Sequence, residues 1–136
     1  MSMSNASESA LLNLLFNNTD WANVGDAAGL QNSAAAGSFY VALHTADPTD
    51  AGNQTTSEAS YTGYARVAVA RTGGGWTVSG NQVSNTATVQ FGECTAGSAT
   101  VTHFSVGLLA SGAGDILYSG ALSASRAVSA GITPLF

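Results

Sequence analysis

The chain has 136 residues and a formal net charge of −5, with only 8% charged side chains, no lysine, and three arginines, Arg66, Arg71 and Arg126. That balance excludes nucleic-acid binding and docking on anionic lipid, both of which need clustered cations to neutralise phosphates. Its length suits one domain with a proper core, and a surface of Ala, Ser, Thr, Gly and Asn suits a protein that packs against neighbours rather than one kept soluble by mixed charge.

Residues 1–9, MSMSNASES, read as a small polar arm. They carry neither the basic n-region nor the apolar core of a signal peptide, and the single cysteine, Cys94, rules out an internal disulfide. Synthesis in a cytoplasm is the expectation. A short helix follows, capped by Ser7 with Glu8 in its first turn and running to Phe16 before Asn17-Asn18-Thr19-Asp20 stops it. A helix of this length must be held by packing. It is expected to plug one end of the β core, and its apolar residues Leu11, Leu14, Leu15 and Phe16 are candidate subunit contacts. Asp20–Ala36 carries little pattern beyond Trp21, Val24 and Leu30. Gly25-x-x-x-Gly29 lacks a preceding strand and is not a dinucleotide loop.

Phe39–Thr45 and Tyr64–Arg71 are dense in Val, Ala, Leu and Tyr and read as two central strands. Asp47-Pro48 ends the first, since Pro cannot donate to a ladder. The polar loop between them is the longest featureless stretch, and Asp47, Asp50, Arg66 and Arg71 are candidate subunit contacts, with the two arginines facing acidic neighbours. After Arg71 the strands shorten: Trp76–Val78, a Gly80-Asn81 turn, Gln82–Ser84, Ala87–Phe91, Thr100–Leu108, Ile116–Leu122 and Arg126–Val128. Seven or eight short strands with turn chemistry between them predict a mainly β fold, an antiparallel β-sandwich or jelly-roll-like or Greek-key barrel with a short N-terminal helix. Residues 1–37 form the arm and helix, and residues 38–136 the β domain.

No catalytic or ligand constellation stands out. His44 and His103 sit among apolar residues, and a zinc site needs three or four ligands. Asp47–Asn53 lacks the ligand order of a calcium loop, no Gly-x-Ser-x-Gly elbow occurs, and Cys94 follows an acid rather than a cation. The aromatics Trp21, Tyr40, Tyr61, Tyr64, Trp76 and Tyr118 fit packing better than a carbohydrate site. The expectation is a non-enzymatic chain with no cofactor and no metal.

FYVALHTADP (Phe39–Pro48), SYTGYARVAVAR (Ser60–Arg71), GWTVSG (Gly75–Gly80), VTHFSVG (Val101–Gly107) and LYSGALS (Leu117–Ser123) together resemble a family of small virion proteins of tailed bacteriophages and prophages. The family is commonly labelled phage tail fibre protein or phage structural protein, and the blocks fall in its order over most of residues 38–134. The resemblance implies a virion location and no enzymatic motif. Relatives continue into a further strand beyond Ile132–Phe136, so the last β element is expected to be missing or supplied differently. Small size and a low-charge surface favour a capsid decoration or cement protein, a homo-oligomer such as a trimer bound to the phage major capsid protein. The alternative is a tail fibre or baseplate component partnered by tail proteins, with a host-receptor or carbohydrate-binding role.

Overall fold

A computed structural model describes residues 2–136; Met1, the first residue of the expected arm, lies outside them. In chain order the elements are α1 (Asn5–Phe16), β1 (Ser38–His44), β2 (Val67–Ala70), β3 (Trp76–Ser79), β4 (Gln82–Asn85), β5 (Ser98–Gly107) and β6 (Ile116–Ser129). Four strands form a sheet in the order β2-β1-β5-β6, and β3 pairs with β4 alone. The fold is mainly β with one N-terminal helix, as the strand spacing predicts. The finer expectation does not follow: among the described residues neither a closed barrel nor a sandwich is shown. One expected strand, Ala87–Phe91, is a single bridge rather than a ladder, meeting the C-terminal residues through Gln90–Leu135 where Pro134 has no N–H to return.

The chain packs as two compact units. The first comprises the chain up to Ser38 together with Val69–Ala87. Its helix begins earlier than the Ser7 cap predicts. Ser4 is the N-cap, its Oγ accepting from the Ser7 N–H at 3.3 Å, because a hydroxyl three residues ahead satisfies one of the orphan donors of the first turn. Leu12 and Phe16, one turn apart, form the buried face, and the Phe16 ring meets Trp76 edge-on at 4.9 Å. The β3–β4 hairpin turns at Gly80-Asn81 as expected, with Ser79 opposite Gln82. Gly80 at φ +61° supplies the positive φ that a two-residue hairpin with Gly first demands.

The second unit comprises Phe39–Ala68 and Thr88–Phe136. Strand β1 is its centre: Phe39, Val41, Ala42, Leu43 and His44 are all buried, which matches a strand covered on both faces. The other expected central strand, Tyr64–Arg71, shrinks to the four-residue edge strand β2. Strand β5 pairs antiparallel with β1, Leu43 opposite Phe104 and His44 opposite His103. On its other side β5 pairs with β6, with a register break between Val101 and His103 where Leu122–Ser125 find no partner on β5. That bulge fuses the two expected strands Ile116–Leu122 and Arg126–Val128 into one bent element. Residues 132–136 run beside Val89–Cys94, with Val89 N–H on Phe136 O at 2.8 Å and Cys94 N–H on Ile132 O at 2.9 Å.

Candidate functional site

The densest polar organisation lies in the second unit, beneath the turn joining β5 to β6. Arg66 leaves the start of β2 with its side chain 3% exposed, against 16% for Glu58. Its Nε and Nη2 donate to the two oxygens of Glu58 at 2.7 and 2.8 Å. Its Nη1 donates to Leu109 O at 2.9 Å and Nη2 to Gly112 O at 2.8 Å. The planar guanidinium fork suits this double duty, since it can hold a carboxylate on one side and carbonyls on the other. Hydrogen bonding to Glu58 raises the Arg66 pKa, so the cation is permanent. Tyr64 donates to Glu58 Oε1 at 3.0 Å and accepts from the Leu43 N–H at 3.0 Å. Burial pushes its phenol above the usual range, so it stays a neutral donor.

Gln54 holds the same turn from below. It is fully buried; its Oε1 accepts from the Leu109 N–H at 2.9 Å, and its backbone N–H donates to Gly114 O at 2.9 Å. Gly107 and Gly114 make room for it: a Cβ on Gly107 would lie 2.2 Å from Gln54 Cδ, and one on Gly114 2.3 Å from its Oε1. Both peptide groups of Leu109 are therefore fixed by side chains from elsewhere in the unit. Its own side chain and that of Leu108 point out, 48% and 43% exposed. Two leucines exposed side by side on a backbone this firmly held are a rigid apolar knob.

His44 is the nearest thing to chemistry. Its Nδ1–H donates to Thr56 O at 2.8 Å, and the Ser105 hydroxyl donates to its Nε2 at 2.7 Å. A Ser–His pair can generate a nucleophile. Here both residues are 0% exposed and the imidazole is oriented by a carbonyl, not a carboxylate, so no substrate reaches the hydroxyl. Desolvation lowers the His44 pKa, which keeps it neutral and in this role. The pair ties the Gln54–Glu58 loop to β5. His103 is half-buried, with Nδ1 2.9 Å from the Thr102 hydroxyl. Among the described residues no cluster of His, Cys, Asp or Glu could hold a metal ion.

The expected contact residues are dispersed. Phe16 is buried against Trp76, while Leu11, Leu14 and Leu15 are half-buried on the same helix. Arg71 turns inward and donates to Leu14 O and Leu15 O, the orphan carbonyls at the end of α1, and to Ala36 O. Arg66 is occupied by Glu58 and the β5–β6 turn. Asp47 is exposed, its Oδ1 accepting from the Thr49 N–H at 2.9 Å, and Asp50 is exposed in the same loop. The sequence reading did not single out Leu108, Leu109, Gln54 or Glu58. One signal was available: Leu108-Leu109 is an apolar pair inside a turn otherwise made of Ala, Ser, Gly and Asp.

Compared with known proteins, the chain matches over residues 2–136 the family model described as Podophage GP4 fiber I protein gp80. No curated protein matches it.

Proposed function

The chain belongs to the podophage GP4 fiber I protein gp80 family, a family of non-enzymatic phage tail fibre proteins, and from that membership we propose that it is an assembly subunit of the fibre, joined to its neighbours through the β5–β6 turn. It is a virion fibre component, and the expected capsid decoration role is not supported. The observation that carries the proposal is the clamp on Leu108–Gly112. Two hydrogen bonds from Arg66, itself braced by Glu58, and two made with Gln54 hold an exposed turn that presents two leucines. Pre-organising an apolar anchor lowers the ordering cost of association, and a turn with no partner would need no such support.

The test is incorporation. Virions made with Leu109→Glu are expected to carry clearly less of this chain per particle by immunoblot, with heads as heat-stable as wild type. Normal incorporation would remove the turn from assembly, and heads weakened by loss of the chain would restore the capsid reading.

A second reading, contact with a host carbohydrate, is favoured by one feature. Thr49, Asp50, Gly52 and Ile116–Ser119 line a polar groove of about 300 Å³, with the Tyr118 ring exposed. A ring to stack on and a carboxylate to accept hydroxyls suit a sugar. Asp50→Ala and Tyr118→Ala would then lower adsorption while leaving incorporation intact.

A further inference from the structure

The β5–β6 turn and the far end of the same hairpin are complementary to each other. At one end, Leu108 and Leu109 are exposed, and the Leu108 N–H donates at 3.2 Å to the carbonyl of Asp115, which is itself exposed. At the other end, the last residues of β6 and the chain terminus enclose a groove of about 310 Å³ lined by Arg126, Ile132, Leu135 and Phe136, among others. Ile132 and Leu135 are 42% and 56% exposed. Arg126 is the one arginine for which no hydrogen bond or ion pair is found among the described residues; Arg66 and Arg71 are engaged inside the chain. The knob thus offers apolar surface with an anion, and the groove offers apolar surface with a cation.

The two features sit at opposite ends of one strand. β5 runs from Ser98, opposite Ser129, to Gly107, opposite Ile116. Ten extended residues separate the ends by roughly 30 Å, so a single copy cannot bring its own knob to its own groove.

We propose that the knob of one copy enters the groove of the next, so that copies of this chain join head to tail with Leu108 and Leu109 against Ile132 and Leu135, and Asp115 facing Arg126. A contact between two different patches is heterologous; it repeats into a ring or an open row, whereas an isologous patch stops at two. Charge selects the partner. The chain carries eight acids and three arginines, and the groove cation, exposed and with no ion pair found among the described residues, finds its match beside the knob of another copy. This rests on the assembly reading of the turn and names the neighbour.

The test uses complementation. Wild-type chain is expected to self-associate with concentration in sedimentation equilibrium up to about 1 mM, the weak end of specific association. Leu109→Glu spoils only the knob and Arg126→Glu only the groove; both positions are exposed, so both variants fold. Each alone is expected to bind itself at least tenfold more weakly than wild type. Mixed, the intact groove of one and the intact knob of the other give a one-to-one complex that grows no further. Association of wild type with no complementation in the mixture would mean an isologous contact and overturn the proposal, as would a wild-type chain that stays monomeric. In the second case, reduced virion incorporation of Leu109→Glu would still uphold the assembly reading with a different neighbour.

Discussion

Replacing Arg66 with Met isolates the clamp, because the new side chain keeps most of the apolar stem and removes the guanidinium. Three partners lose their donor. Leu109 O and Gly112 O lie on an exposed turn, so water takes the vacated positions at little cost. Glu58 keeps only the Tyr64 hydroxyl. Removing one partner of a buried ion pair costs about 3–5 kcal/mol, whereas an exposed pair is worth about 0–1. The exposures of 3% and 16% place this pair near the buried case, with enough water at Glu58 to favour the lower bound. The expected loss is about 3 kcal/mol, or roughly 10 °C in the thermal midpoint of a domain of this length. Urea denaturation of Arg66→Met, Glu58→Gln and the double variant would give the coupling, expected near 2 kcal/mol. A coupling below about 1 kcal/mol, the range of exposed pairs, would refute the view that Glu58 and Arg66 act as a buried pair beneath the turn.

Other outcomes follow from the same contacts. Tyr64→Phe strands the Leu43 N–H inside the sheet and should cost about 1–3 kcal/mol, with faster amide exchange at Leu43 as its local signature. Phe16→Ala empties the contact with Trp76 and should cost about 3–5 kcal/mol, read by loss of the Trp76 fluorescence signal at lower urea. Burial lowers the His44 pKa, so the unfolded chain binds the extra proton first. The stability that His44 contributes is full above the unfolded value near 6.5 and is lost as pH falls through the lower folded value. The urea midpoint should therefore drop between pH 8 and pH 5.5, and His44→Leu should flatten that slope while lowering stability throughout.

Some of this was legible in the sequence. Phe39–His44 declared itself by an unbroken apolar run, which only a strand buried on both faces sustains, and Gly80-Asn81 announced its hairpin through the backbone conformation a tight turn requires. The blocks from Phe39 to Ser123 pointed to a virion protein. What stayed hidden depends on long sequence separation. The partners of Arg66 lie 8, 43 and 46 residues away, so in the alternation of Ala65–Ala70 it reads as an outward cation ready for a neighbour. Arg71 reads the same way and closes a helix more than fifty residues earlier. The expected sandwich came from counting each apolar alternation as a strand. Ala87–Phe91 shows why that overcounts: alternation records burial on one face, while a ladder also needs a partner with N–H groups at the right positions, and Pro134 interrupts it. The preference for the capsid rested on small size and low charge, which a fibre subunit packed among neighbours shares.

Placement in the particle tests the central claim most directly. A cryo-electron microscopy map of virions carrying an affinity label on this chain should show the label on the tail fibres and at no point on the capsid shell; label distributed over the shell, with bare fibres, would contradict the account.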